Sequence, residues 1–117
     1  MKKITDDFDR RRLEQNQRIL DSGLKGFQRF FALDTSVYLD GALSSREKEL
    51  MGLVASTVLR CNDCIHYHVK RCMELGVRPE EIHEALNVSM VVGGSITIPH
   101  VRYAFEVLEE VSSKHEG

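Results

Sequence analysis

The sequence contains no tryptophan, two prolines and three cysteines among its 117 residues. It has no run of about 18 apolar residues, the length that spans a bilayer as a helix, so we expect no membrane segment. Acidic residues slightly outnumber basic ones, and the formal net charge of -2 gives no electrostatic reason to expect nucleic acid as a partner. What remains is an ordinary globular composition, 42% hydrophobic and 29% charged.

No apolar stretch follows the lysines at the N-terminus, so a secretory signal is not indicated and we expect a cytoplasmic protein. Thiols are kept reduced in the cytosol, where structural disulfides are rare. A close pair of cysteines in such a protein is therefore more often catalytic or metal-binding than structural. The length predicts one domain spanning residues 1–117.

The periodicity of apolar residues predicts an all-α fold with five to six helices. The single β-branched cluster is interrupted by Gly93 and Gly94, which argues against a strand there. Residues 34–42 are predicted as a loop or a short helical turn. The predicted helices cover residues 5–20 and 24–33, a segment after Ser44, a segment with the cysteines ending at Gly76, one opened by Pro79, and one opened or kinked by Pro99.

The segment after Ser44 has the pattern of a buried helix. Ser44 and Glu47 fit a capping box, in which each side chain binds the other's backbone N–H. Residues 50–59 are apolar on almost every side, which predicts the buried central helix of the fold.

Two other patterns have simple structural interpretations. The aromatic stripe in the second helix is predicted to belong to the core; it consists of Phe27, Phe30 and Phe31. The run Arg10-Arg11-Arg12 is interpreted as a solvated helix face, with a contact to a neighbouring subunit as the alternative.

The most informative segment carries two cysteines one helical turn apart, Cys61 and Cys64, with His68 one turn further. At about 100° per residue these side chains and Cys72 fall within an arc of about 80° on one face of a helix. A disulfide over so short a loop adds little folding stability, so its value is chemical. The helix N-terminus is expected to favour the reactive thiolate, and the imidazole can accept the thiol proton.

Other interpretations of these residues remain open. The cysteine pair with His68 could be passive core, and Cys72 is predicted to be core. A zinc site is a third possibility, which would need Glu49, His66 or Cys72 to complete four ligands. The remaining histidines are interpreted as hydrogen-bonded or solvent-exposed: His66, on the opposite face of the helix, and His83, His100 and His115.

Several segments together resemble the carboxymuconolactone decarboxylase-like superfamily and, within it, the alkylhydroperoxidase D branch. They are Glu47-Lys48-Glu49-Leu50, Cys61-x-x-Cys64-x-x-x-His68, Leu75-Gly76-Val77 and Pro79-Glu80-Glu81-Ile82. The resemblance covers roughly residues 41–110, which implies a core over 41–111 and a helical N-terminal extension over 1–40. It also implies an alkylhydroperoxidase D-like bundle completed by oligomerisation, as a homotrimer or homohexamer.

The resemblance implies a thiol-dependent peroxidase without a bound cofactor. Cys64 would attack a small hydroperoxide, Cys61 would resolve the product as a disulfide, and an external dithiol would reduce it. His68 and Glu49 would relay protons. Glu49 is chosen by its spacing to Cys61, because helical phase alone does not distinguish it from Glu47.

One residue departs from the family pattern, and three alternative functions stay open. Asp63 precedes Cys64 where the best-known members carry histidine, which implies a shorter relay, weaker peroxidase activity or another substrate. The alternatives are a general dithiol–disulfide reductase, a lactone decarboxylase or isomerase like carboxymuconolactone decarboxylase, and a zinc-stabilised helical module. The decarboxylase branch generally lacks the cysteine pair, which argues against that activity.

Overall fold

The computed structural model describes residues 3–116, with side chains described from residue 4 to residue 113. Within this range the secondary structure is entirely helical, which confirms the all-α prediction. The α-helices are α1 (Lys3–Asp21), α2 (Lys25–Val37), α3 (Ser45–Val58), α4 (Asn62–Glu74), α5 (Pro79–Gly93) and α6 (Ile98–Glu116), with a 3-10 turn at Ser95–Thr97. None of these helices is both long and apolar enough to cross a membrane.

The core lies between the last four helices. α3 packs against α4 and α5, while α4 also packs against α6. Apolar side chains from all four meet there: Leu53, Ile65, Val69, Cys72, Val77, Ile82, Leu86, Ala104, Val107, Leu108 and Val111. Cys72 is therefore a core residue, as predicted. α1 lies across α6 and is followed by α2, so the N-terminal part of the chain borders this bundle.

The predicted helix ends are confirmed where capping chemistry determined them. The Ser44 hydroxyl accepts a hydrogen bond from the Glu47 N–H, and the Glu47 carboxylate accepts one from the Ser44 N–H. These bonds satisfy backbone donors that have no partner within the helix. α4 is followed by Gly76 at φ +85°, a left-handed conformation in which glycine has no steric cost. Pro79 is the first residue of α5.

The prediction for α2 is wrong in two respects. The helix continues to Val37, four residues beyond the predicted end, so the first part of the segment predicted as a loop or a short helical turn is helical. Its aromatic stripe is not core, because α2 has no buried residue and Phe30 is 64% exposed. Helical periodicity identifies the apolar face of a helix, but it does not show whether the same chain covers that face.

The prediction that α3 is buried on all sides is also wrong for the single chain. Its buried residues include Glu49 and Leu53, whereas Met51 and the C-cap residue Leu59 are 57% and 75% exposed. The exposed side of α3 and the end of α5 form an apolar groove of about 620 Å³, which we call the α3–α5 groove. Its lining residues are Leu50, Met51, Val54, Ala55, Val58, Leu59 and Val92.

Candidate active site

The cysteine pair lies where α3 turns into α4. Arg60, just before the pair, has φ +63°, and this left-handed residue helps redirect the chain between the two helices. Cys61 is the N-cap of α4, and its sulfur accepts a hydrogen bond from the backbone N–H of Cys64 at 3.3 Å. Both residues are free thiols. The predicted closeness of Cys61 and Cys64 at a helix N-terminus is thus present in the fold.

The acidity of Cys64 differs from the sequence expectation. Although the residue is exposed overall, partial burial of its sulfur raises the pKa to about 11. A hydrogen bond with Cys61 and the negative charges of Asp63 and Asp34 act in the same direction. The prediction that the helix N-terminus favours the thiolate is therefore wrong for this sulfur, because desolvation and nearby anions oppose the charged form. At neutral pH the thiol needs a base to become a nucleophile.

A buried imidazole–carboxylate pair lies beside the cysteines. His68 on α4 places Nδ1 2.7 Å from Oε1 of Glu49 on α3, and both side chains are buried. Oε2 of Glu49 lies 3.8 Å from Nε of Arg71, which supplies a compensating positive charge. We assign Nδ1–H as the donor to Glu49, which leaves Nε2 of His68 as the basic nitrogen.

The structure shows different environments for Glu49 and Glu47, which helical phase in the sequence could not distinguish. Glu47 lies in the capping box at the start of α3, where hydrogen bonds from Ser44 lower the pKa of its carboxyl group. Glu49 instead faces the interior and contacts His68. Of the two acids, Glu49 is the one placed to orient an imidazole.

Cys64 and His68 line the same open cleft, which has a volume of about 360 Å³. α4 supplies one wall, and α1 and Asp34 of α2 supply much of the rest. The complete lining is Phe8, Arg11, Arg12, Gln15, Asn16, Asp34, Asp63, Cys64, Tyr67 and His68. Residues 1–40 thus contribute six of the cleft's ten lining residues.

Three aromatic or cationic contacts at this cleft were missed by the sequence analysis. The Tyr38 and Tyr67 rings flank His68, with ring centroids 5.6 and 5.3 Å from the imidazole. The Arg12 guanidinium lies 4.2 Å from the centre of the Tyr67 ring. Only the adjacency of Tyr67 and His68 is visible in the sequence; Tyr38 comes from the segment predicted as a loop or a short helical turn.

The arginine run is divided between two environments. Arg10 is exposed and pairs with Asp7 and Glu14, as expected for a solvated face. Arg11 and Arg12 are exposed as well, as the interpretation of the run as a solvated face predicts, but they also line the open cleft.

The other histidines lie away from the pair. His66 points to the opposite side of α4, stacks on Phe8 at 3.9 Å and bonds the Tyr103 hydroxyl through Nδ1. Its Nε2 is buried without a hydrogen-bond partner among the described residues, so it is only half satisfied. The remaining two described histidines have ordinary contacts: His83 stacks on Phe105, and His100 bonds Asn62. The His115 side chain lies outside the described residues.

The ligand set considered for zinc is not assembled. Across residues 4–113, no three histidine, cysteine or acidic side chains are grouped closely enough to hold a metal ion. Cys72 is in the core and His66 faces α1 and α6, so neither completes a site with Cys61 and Cys64.

The sequence of this chain is similar to that of known proteins. A sequence profile of the Carboxymuconolactone decarboxylase family matches residues 25–110. A Paracoccus denitrificans protein, known as uncharacterized protein 4 in the cox locus, is 35% identical over 82 residues, which cover 70% of this chain and 74% of that protein.

Two crystal structures of a Thermotoga maritima protein have the same fold. One is 52% identical, with a TM-score of 0.91 and coverage of 94% of this chain and 96% of the other. The second is 51% identical with a TM-score of 0.90, covers 94% and 93% of the two chains, and describes a carboxymuconolactone decarboxylase family protein for which an antioxidative role has been suggested. A Legionella pneumophila family member shares the fold at 24% identity, with a TM-score of 0.85 and coverage of 92% and 96%. This chain belongs to the carboxymuconolactone decarboxylase family.

Proposed function

We propose that this protein is a thiol-dependent peroxidase of the alkylhydroperoxidase D type, with Cys64 as the attacking thiol. The observation that carries the proposal is that Cys64 and His68 line one cleft, with His68 hydrogen-bonded to the buried Glu49 behind it. A free second thiol, Cys61, lies one helical turn away at the start of the same helix. An accessible dithiol beside a buried acid–imidazole pair is suited to redox chemistry with proton transfer.

In the first step Nε2 of His68 accepts the proton of Cys64, whose raised pKa keeps it a thiol at neutral pH. The sulfur attacks the terminal oxygen of the hydroperoxide, so an S–O bond forms as the O–O bond breaks. The alkoxide leaves with a proton returned from His68, as the alcohol. Cys64 is oxidised to a sulfenic acid while the peroxide is reduced.

In the second step the thiol of Cys61 attacks the sulfenic sulfur of Cys64. A disulfide forms and the hydroxyl leaves as water. An external dithiol then reduces the disulfide by thiol–disulfide exchange, which restores both thiols and oxidises the donor. The cycle needs no bound cofactor, and its electrons come from that dithiol.

The charge of Glu49 has a defined part in this cycle. By accepting the hydrogen bond from Nδ1–H, the carboxylate holds one imidazole tautomer and stabilises the imidazolium that forms when His68 takes the thiol proton. Asp63 raises the pKa of Cys64 and supplies no second imidazole, so His68 is the base on which the proposal depends.

We also propose that the chain acts as a homo-oligomer, a trimer or hexamer, in the cytoplasm. α2 buries none of its residues, and Val91 on α5 is 81% exposed beside the α3–α5 groove. Such large apolar surfaces are unusual on a protein that stays monomeric. A second copy of the chain, which carries the same faces, is the occupant that we propose.

The proposal is tested by counting free thiols after the reduced protein is mixed with cumene hydroperoxide. We expect two of the three thiols to disappear, with Cys72 remaining because it is fully buried. Cys64→Ser should abolish the loss, and Cys61→Ser should leave a sulfenic acid on Cys64 that dimedone traps. Survival of both pair thiols in the native protein would overturn the peroxidase proposal.

The alternative activities give different results in parallel assays. A general dithiol–disulfide reductase would exchange with oxidised dithiothreitol but leave cumene hydroperoxide unchanged. A lactone decarboxylase would retain its activity in Cys64→Ser. Metal analysis of the purified protein separates a zinc-stabilised module from both.

A further inference from the structure

Gly52 on α3 lies directly against the His68 ring. A Cβ atom added at Gly52 would lie 2.6 Å from Cε1, 2.8 Å from Nε2 and 3.0 Å from Nδ1 of that imidazole. Carbon atoms that are not bonded attract each other best at about 3.5–4.0 Å, so such a contact is strongly repulsive. The ring therefore occupies the space that any other side chain at this position would fill.

The ring has little freedom to move aside. Its Nδ1 is bound to Glu49, which lies one turn before Gly52 on the same helix. The rings of Tyr38 and Tyr67 flank it on other sides. Displacing the imidazole from α3 would therefore lengthen or break the 2.7 Å hydrogen bond to Glu49.

Backbone conformation does not account for a glycine at this position. Gly52 lies inside α3 and is not one of the glycines with positive φ, which are Gly23, Gly76 and Gly94. Glycine is also a poorer helix former than alanine. The structural reason for glycine here is the absence of a side chain rather than its flexibility.

We propose that Gly52 is a positioning residue. Because it has no side chain, the His68 ring can pack against α3 within hydrogen-bonding distance of Glu49. The inference rests on the proposed function, in which His68 is the base for Cys64. Gly52 contacts neither substrate nor sulfur in this scheme and acts only through the imidazole.

The test compares Gly52→Ala with a matched control, Gly93→Ala. A Cβ at Gly93 would lie 2.6 Å from Cγ2 of Thr97, so the clash is equally close but is made with a residue outside the cleft. Cumene hydroperoxide is the oxidant and dithiothreitol the reductant. In Gly52→Ala we expect the peroxide to oxidise Cys64 about 100-fold more slowly, which is the order of loss that follows when a catalytic group is misplaced by about 1 Å. Gly93→Ala should keep the native rate.

Two readouts separate positioning from general damage. NMR should show the Nδ1–H proton of His68, bonded to Glu49, in the native protein and in Gly93→Ala but not in Gly52→Ala. In a His68→Ala background, Gly52→Ala should cause no further loss of rate and should raise the Tm, since alanine is the better helix former and no ring remains to clash.

The possible outcomes test the positioning role of Gly52 and the proposed peroxidase function separately. A native rate and a retained Nδ1–H signal in Gly52→Ala would overturn the positioning role. If Gly52→Ala does not fold, the double variant decides: folding supports the clash with His68, and failure to fold overturns it. If the native protein does not react with the peroxide, the proposed function is refuted. The NMR and Tm comparisons then still test whether Gly52 positions His68.

Discussion

His68 and Glu49 lie 19 positions apart on different helices, yet Nδ1 of one is 2.7 Å from Oε1 of the other. This hydrogen bond crosses the α3–α4 interface and connects a buried acid to a histidine that lines the cleft. Because this bond engages Nδ1, the mechanism that we propose assigns proton transfer to Nε2.

Replacing Glu49 tests whether its charge supports the base. Glu49→Gln keeps the side-chain volume but removes the negative charge that stabilises a protonated His68, so we expect the peroxide reaction to slow about 100-fold. The measurement is the single-turnover rate of thiol oxidation by stopped flow. Glu47→Gln is the matched control, because glutamine also serves in a capping box, and it should retain the native rate. Equal rates in the two variants would refute the role of Glu49.

The pH dependence of alkylation tests the raised pKa of Cys64. Because its pKa is about 11, the thiolate fraction is smaller at neutral pH than for an ordinary cysteine. The rate at which iodoacetamide alkylates Cys64, measured by mass spectrometry, should therefore rise about tenfold per pH unit between pH 7 and 10 and level off only near pH 11. A plateau below pH 8 would show that the thiolate is stabilised instead.

Cys72 should make folding sensitive to alkaline pH. Burial raises its pKa from 9.0 to about 12, so the folded state favours the thiol. The resulting stability is complete below pH 9, the unfolded pKa, and is lost as pH rises towards 12. The free energy of unfolding, measured with urea, should be lower at pH 11 than at pH 8. Cys72→Ala should be less stable than the native protein at pH 8, but its free energy of unfolding should fall less between the two pH values. An equal decline in both proteins would contradict the assignment.

Arg12 offers a test of the wall that α1 contributes to the cleft. Its contact with the Tyr67 ring is a cation–π interaction, worth about 0.5–1 kcal/mol at an exposed site. Losing this contact should loosen the Tyr67 side of the cleft, so we expect Arg12→Ala to raise KM for cumene hydroperoxide, by at most the about two- to fivefold to which this energy corresponds, with little change in kcat. Arg10→Ala, which removes only exposed ion pairs, is the control. A KM unchanged in Arg12→Ala would mean that this part of α1 does not contribute to substrate binding.

The α3–α5 groove tests the proposed assembly. The native protein should have a mass in light scattering well above the 13.4 kDa of one chain. Val92→Lys, which places a charge in the apolar groove, should lower that mass, whereas Leu13→Lys on exposed α1 should not. A native mass of one chain would refute the oligomer, and an unchanged Val92→Lys would locate the interface elsewhere.

Local interactions explain why much of the fold was predictable. The Ser44–Glu47 capping box, the glycine after α4 and the proline at the start of α5 each act within a few residues of chain. The spacing of Cys61 and Cys64 likewise guaranteed that one helical turn would bring them together. Burial was harder to predict, because the apolar side chains of α2 and α3 have the same periodicity whether or not the chain covers them.

The sequence alone determined the helical fold, the helix ends that have local capping signals and the cysteine pair, because those depend on neighbours along the chain. Only the tertiary structure decided that Glu49 rather than Glu47 meets His68, that Tyr38 packs against His68 and Arg12 borders the cleft, and that the pKa of Cys64 is raised. Each of these depends on distances between helices and on exclusion of water, and neither quantity is encoded in the spacing of residues along one helix.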